Sequence, residues 1–367
     1  MENMQFTAIV LMVLLTLKLL LLPGRVAANA VLNKARWLMT GCTVLLGVQF
    51  LLQLTLGLRN IGVTQAVMLN LVFFVPSSWL MSLAILYLQR QGRVTKFDKF
   101  IGVATWIGVI AILGIAAAID GKPLLSGSKE IFHAEIIASI LFACMQGHYA
   151  YRHTTNLRAM SNALHNYFDR NHDSALRWMQ VGVGILVVLT LMVPAVIFVH
   201  NNLLALFCVS FFGGMFYLVD SFCSYSMSSA PARVREAEQS EELSINAEND
   251  EEYAGEGIDT MQRVTFLVED WLKKGRYLKT GVKLPVVAKS IGVPQYQLST
   301  WLRNNDMKFS EWITELRIIE AKRILKKHPE WNNEAVAQHC GFNDRSYFQK
   351  KFKEVTGMSP ADYIARL

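Results

Sequence analysis

Seven apolar stretches crowd the first 228 residues of this chain, centred on roughly 5–22, 38–57, 64–88, 100–119, 131–150, 179–199 and 203–223. Each is close to the roughly 20 residues that a helix needs to cross a bilayer. In hydrocarbon the backbone must satisfy its own polar groups, and an unbroken apolar run of that length does so as a helix. An odd number of crossings puts the two ends of such a domain on opposite sides.

Loop charge decides which side is which, because short cytoplasmic loops accumulate Lys and Arg. The first, third and fifth loops hold Arg25, Lys34, Arg36, then Arg90, Arg93, Lys96, Lys99, then Arg152, Arg158, Arg170 and Arg177. The second, fourth and sixth hold Arg59, Lys122 and Lys129. The bias predicts an N-terminus outside and everything after residue 223 in the cytoplasm. Cleavage as a secretory leader at Ala28-Asn29-Ala30 is the rival reading of residues 1–30, but Glu2 stands where a basic n-region belongs.

Within the spans, Lys18, Glu135 and Asp220 attract notice because burying a charge in hydrocarbon is costly, and snorkelling to the nearby interface is the ordinary explanation. His133, His148, His153, His165, His172 and His200 show no ligand spacing, the five-residue step from His148 to His153 leaving that pair on different helical faces. Cys42, Cys144, Cys208 and Cys223 fall in apolar segments and read as small hydrophobes; with Cys340 they form no CxxC pair. Neither a metal site, a cofactor nor a catalytic group is expected. Residues 152–178 form the longest loop, where Leu157, Met160, Leu164, Tyr167 and Phe168 recur at helical spacing, which predicts a short amphipathic helix on the inner membrane face or against the bundle.

The net charge of +7 hides a sharp partition: residues 1–228 carry +7, residues 229–259 carry −8 and residues 260–367 carry +8. The middle block has too little apolar surface to fold alone, so 229–259 reads as an acidic disordered linker with a root-mean-square reach of about 30 Å. Next to a basic domain it also has the charge to compete with DNA phosphate.

Residues 260–367 show helical periodicity and no strand alternation, predicting helices near 260–274, 285–290, 295–304, 309–326, 333–339, 344–354 and 360–366. Two units of short helix, turn and longer helix stand out. Val286, Val287 and Ala288 precede a turn holding Gly292, and the following helix opens with Pro294; Ala335, Val336 and Ala337 precede a turn holding Gly341, with Asn343 or Asp344 as the next cap. Leu298, Trp301, Leu302, Phe342, Phe348 and Phe352 fall at core spacing.

The run AVAQHCGFNDRSYFQKKFKEVTGMSPADY at 335–363, with ELRIIEAKRIL at 315–325, resembles the C-terminal domain of the AraC/XylS family of bacterial transcription regulators. The resemblance covers under a third of the chain. It implies a seven-helix domain whose two recognition helices enter successive major-groove segments about one helical turn apart, held by the long helix around Arg317 and Ala321. It also implies base contacts from Gln295, Tyr296, Ser299 and Thr300 in the first recognition helix, and from Arg345, Ser346, Tyr347, Gln349 and Lys350 in the second. Arg303, Lys351 and Lys353 would meet phosphates. Pro294 departs from the family, which often has a small capping residue there, and leaves the first unit's contacts less defined.

The expected protein is all-α: a seven-helix transmembrane bundle over 1–228, the linker over 229–259 and an AraC-type DNA-binding domain over 260–367. It reads as a one-component regulator in the bacterial cytoplasmic membrane, partnered by double-stranded promoter DNA and the bilayer, with an unknown signal ligand or membrane partner and with homodimerisation as the simplest coupling. Against it stand a transporter or membrane enzyme with an appended DNA-binding module, and a helical bundle that binds protein. No inverted repeat and no cluster of acid, base and nucleophile favours the former.

Overall fold

A computed structural model describes residues 2–57, 63–121, 128–169, 175–198, 201–252 and 258–366. Arg59, Lys122, Arg170, His172 and His200, all weighed above, lie outside them. The described residues are helical with intervening turns and contain no strand, only a lone bridge between Phe168 and Lys283.

Among the described residues the first eight helices are α1 (Glu2–Leu20), α2 (Gly24–Ala28), α3 (Ala30–Thr55), α4 (Val63–Gln89), α5 (Lys96–Asp120), α6 (Lys129–Tyr167), α7 (Arg177–Phe198) and α8 (Asn201–Met227). Among the described residues, five are long and apolar enough to cross a membrane: Ala30–Thr55, Val67–Gln89, Lys96–Ile119, Lys129–Tyr167 and Leu206–Met227. The remaining two expected spans appear as shorter apolar helices, Met4–Leu20 and Arg177–Met192. Packing divides the chain into Met1–Arg158 with Ala175–Pro231, and Ala159–Ser174 with Ala232–Leu367.

In the first unit α3 packs chiefly on α4 and α1. Several polar side chains there pair across helices, as an apolar setting favours. Gln49 and Gln53 both donate to Asn70 Oδ1 at 2.6 Å. Pro76 lies inside α4, where its ring removes an N–H and leaves the Val72 carbonyl without its helical donor; Trp106 Nε1 donates to that oxygen at 2.9 Å. Lys18 and Asp220, expected to snorkel to the interface, form an ion pair joining α1 to α8. Glu135 departs from the same expectation: it is 1% exposed, and neither carboxylate oxygen has a partner among the described residues. His153 Nδ1 lies 2.9 Å from Gln89 Oε1, while Arg152 donates two bonds to Asp98, at 3.1 and 2.9 Å. Cys42, Cys208 and Cys223 are buried as expected of small hydrophobes, whereas Cys144 is exposed.

Two segments depart from the sequence reading. No separate helix forms in the predicted fifth loop, because α6 continues without a break to Tyr167, and Leu157, Met160, Leu164, Tyr167 and Phe168 are all buried. The acidic segment expected as a disordered linker is instead helical over Ala230–Glu252, here α9. Its Ala, Arg, Gln and Glu residues are good helix formers, and Val234, Ala237, Ser240 and Ser244 make a buried stripe at helical spacing.

The remaining helices of the second unit are α10 (Ile258–Lys273), α11 (Leu284–Ile291), α12 (Gln295–Asn304), α13 (Phe309–Lys327), α14 (Asn333–His339), α15 (Arg345–Thr356) and α16 (Pro360–Ile364). These are the seven helices read from periodicity, with ends displaced by at most two residues. Two cores form. Val268, Trp271, Val287, Leu298, Leu302 and Ile313 belong to the first, and Ile318, Leu325, Val336, Phe342, Phe348 and Phe352 to the second. Helix α13 contributes to both, which makes it the strut between them.

Candidate nucleic-acid interface

The first helix-turn-helix unit is α11, the Gly292 turn and α12. Gly292 ends α11 at φ 89°, a left-handed conformation that costs a residue with a Cβ about 1–2 kcal/mol. Pro294 sits at the N-cap of α12 and offers no side-chain hydrogen bond, yet the helix runs from Gln295 to Asn304. Leu298 and Leu302 turn inward at 0% and 4% exposure, and Trp301 packs against the same core. Helical periodicity leaves Gln295, Tyr296, Ser299 and Thr300 half-buried and Arg303 exposed.

Helix α9 engages this helix at its first residue. Gln295 Nε2 donates to Ser240 Oγ at 2.6 Å, to Ser244 Oγ at 2.7 Å and to the Ser240 carbonyl at 3.2 Å. Beside these bonds a cleft of about 430 Å³ is lined by Asn162, Glu241, Ser299, Arg303 and Lys308 among others. Burial raises the Glu241 carboxyl above the usual carboxylate range against the pull of a hydrogen bond with Asn166 and the charge of Arg303. Nearby, Lys283 Nζ donates to Glu236 Oε1 at 2.6 Å and Tyr167 Oη donates to the same oxygen at 2.8 Å. Burial opposes ionisation of Glu236, but these two donors outweigh it and hold the carboxyl below its ordinary value.

The second unit is α14, the Gly341 turn and α15. Asn332 Oδ1 caps α14 by accepting from Ala335 N at 2.8 Å, and Asp344 Oδ1 caps α15 by accepting from Tyr347 N at 2.7 Å. Phe348 and Phe352 are wholly buried. Arg345, Ser346, Lys350 and Lys353 are exposed, and Tyr347, Gln349 and Lys351 half-buried. Lys351 donates to Glu354 at 2.6 Å and lies 5.9 Å from the centre of the Tyr347 ring. Lys350 stands 3.8 Å from the same glutamate.

Arg317 on α13 ties the two units together. Its guanidinium, 3% exposed, donates to the Tyr277 carbonyl at 3.0 Å, to the Lys279 carbonyl at 2.6 Å and to Asp169 Oδ2 at 2.7 Å. It also lies 5.8 Å from the centre of the Phe342 ring. Asp169 accepts from Val282 N at 3.1 Å, which completes a buried, paired carboxylate. The sequence placed Arg317 in the long helix expected to space the two units but gave no sign of Asp169, which lies 148 positions away and belongs to no motif. Gly341 meets the same network: at φ 82°, a Cβ there would stand 2.3 Å from the Leu278 carbonyl oxygen and 3.0 Å from Arg317 Nε. Among the described residues no group of three or more His, Cys, Asp or Glu side chains could hold a metal ion.

Residues 287–366 match a family model described as a helix-turn-helix domain. The chain is 34% identical over 73 residues to the uncharacterized HTH-type transcriptional regulator YpdC of Escherichia coli, covering 20% of this chain and 25% of that one. It is 34% identical over 83 residues to the porin thermoregulatory protein EnvY of Escherichia coli, covering 23% and 32%. With the regulatory protein PocR of Salmonella typhimurium it shares 26% over 88 residues, 24% and 29% of the two chains. The chain therefore spans about a quarter to a third of the length of these relatives. No solved structure matches.

Proposed function

We propose, on the premise that residues 287–366 are an AraC-type helix-turn-helix domain, that this chain is a membrane-anchored, sequence-specific regulator of transcription. The observation that carries the reading is a single frame, built on α13, that holds two helix-turn-helix units with polar faces turned away from their cores. Helix α12 brings Gln295, Tyr296, Ser299 and Thr300 to base edges, and α15 brings Arg345, Ser346, Tyr347, Gln349 and Lys350. The guanidinium of Arg345 suits the paired acceptors of guanine, and the carboxamide of Gln349 suits the donor and acceptor of adenine. Arg303, Lys351 and Lys353 contact phosphates, which position the domain without specifying sequence.

The apolar helices anchor the chain in the bacterial cytoplasmic membrane with the DNA-binding domain inside, a placement supported by their length and by the basic odd-numbered loops. A signal ligand or membrane partner acts on the bundle, and pairing of two chains raises the effective concentration of domains at paired sites.

The test is selection of duplexes from a random library on the full chain in lipid nanodiscs, repeated with Arg345→Ala/Gln349→Ala. The double variant is expected to lose sequence preference, each lost bidentate contact being worth about 1–3 kcal/mol, while its helical content stays unchanged. Retained footprints would refute the assignment. Reporter fusions that place the last hundred residues outside would refute the topology.

A further inference from the structure

We infer that α9 is an intramolecular occupant of the DNA-reading face of α12, so that the described arrangement keeps the first half of the interface closed until α9 leaves. The inference rests on the DNA-binding reading above and concerns its regulation. A primary amide has two hydrogens to give, and Gln295 directs both to acceptors one helical turn apart on α9, Ser240 Oγ at 2.6 Å and Ser244 Oγ at 2.7 Å. Neither is then left to read a base edge.

The rest of α9 reinforces the fit. Val234 and Ala237 extend the buried stripe that carries the two serines. Glu236 is held by Lys283 and Tyr167 at its N-terminal end. Glu241 lines the same cleft as Arg303, the side chain assigned to phosphate, and the two charges act on each other. Helix α9 thus offers oxygen acceptors to the base-reading amide and an acidic side chain to the cleft that holds Arg303. Helix α15 differs: Arg345 and Ser346 at its start are exposed. The closed arrangement blocks one half of the reading surface, and release of α9 recruits it.

The test uses the full chain in lipid nanodiscs and duplexes of about 30 base pairs, long enough for two segments one helical turn apart, enriched from a random library on the same preparation. Ser240→Ala/Ser244→Ala removes both hydroxyl acceptors and leaves every charge in place. It is expected to bind about tenfold more tightly, the effect of two ordinary hydrogen bonds to the closed form. Conversely, Ile245→Cys/Lys308→Cys joined by a short bis-maleimide, with Ile245→Cys alone controlling for reaction at the exposed Cys144, is expected to bind at least tenfold more weakly than before cross-linking. Affinities within twofold of the parent for both the alanine variant and the cross-linked protein would overturn the inference and leave DNA binding standing. Failure of every preparation to enrich any duplex would overturn the DNA-binding reading and the inference with it.

Discussion

In the first helix-turn-helix unit the second helix begins after Pro294 without a side-chain cap and its first residue is bonded to α9; in the second, Asp344 caps the corresponding helix and Arg345 and Ser346 stand exposed. The cores beneath are alike, with Leu298 and Leu302 in one answering Phe348 and Phe352 in the other. The units therefore differ at their outward faces and the supports beneath them and not in plan. Inward positions must satisfy packing in both, while the outward face is open to whatever neighbour the chain supplies.

The largest effect should come from removing what the two units share. Arg317→Ala leaves Asp169 buried without its cation and is expected to cost about 3–5 kcal/mol, lowering the stability of both units together. Chemical unfolding followed by tryptophan fluorescence from Trp271 and Trp331 checks this, and separate transitions would show that the units do not stand on one frame.

The turns come next. Gly292→Ala pays only for its left-handed backbone, about 1 kcal/mol, since nothing lies within 4 Å of an added Cβ. Gly341→Ala adds a collision with the Leu278 carbonyl and is expected to cost about 3 kcal/mol. Equal losses in denaturant midpoint would erase this asymmetry.

A smaller contrast lies at the caps. Asp344→Ala should cost about 1 kcal/mol, whereas Pro294→Ser supplies a cap that α12 lacks and should stabilise it by a few tenths to about 1 kcal/mol. Amide exchange at the starts of α12 and α15 reads both.

The smallest effect is acid-dependent. Because the Glu236 carboxyl is held below its ordinary value in the folded chain, its contribution is present above the unfolded value of about 4.5 and fades as pH falls through the folded value. Glu236→Gln should therefore flatten the loss of stability below about pH 4.5, slightly, since the pair is half exposed. An unaltered acid limb in pH-dependent melts would show that Lys283 does not hold this carboxylate.

Periodicity alone reached much of this architecture. The seven helices from Ile258 to Ile364 were legible because their apolar residues recur at helical spacing and Gly and Asp punctuate the ends. Local signals could not reach pairs set by distant parts of the chain. Nothing near Asp169 announces Arg317, and composition around Glu236 to Glu252 masks the sparse stripe of Val234, Ala237, Ser240 and Ser244 that gives α9 a face to bury. The candidate reading residues came from the family resemblance, while the engagement of Gln295 became visible only in three dimensions.

Helix α13 buries Trp312 and Ile313 in one core and Ile318 and Leu325 in the other within four turns of unbroken helix. Such a strut neither stretches nor twists cheaply, so under the proposed DNA-binding function it would act as a ruler along the duplex. Inserting about five base pairs between the two recognised segments would rotate one of them to the far side of the double helix, beyond the reach of a connector that has no slack.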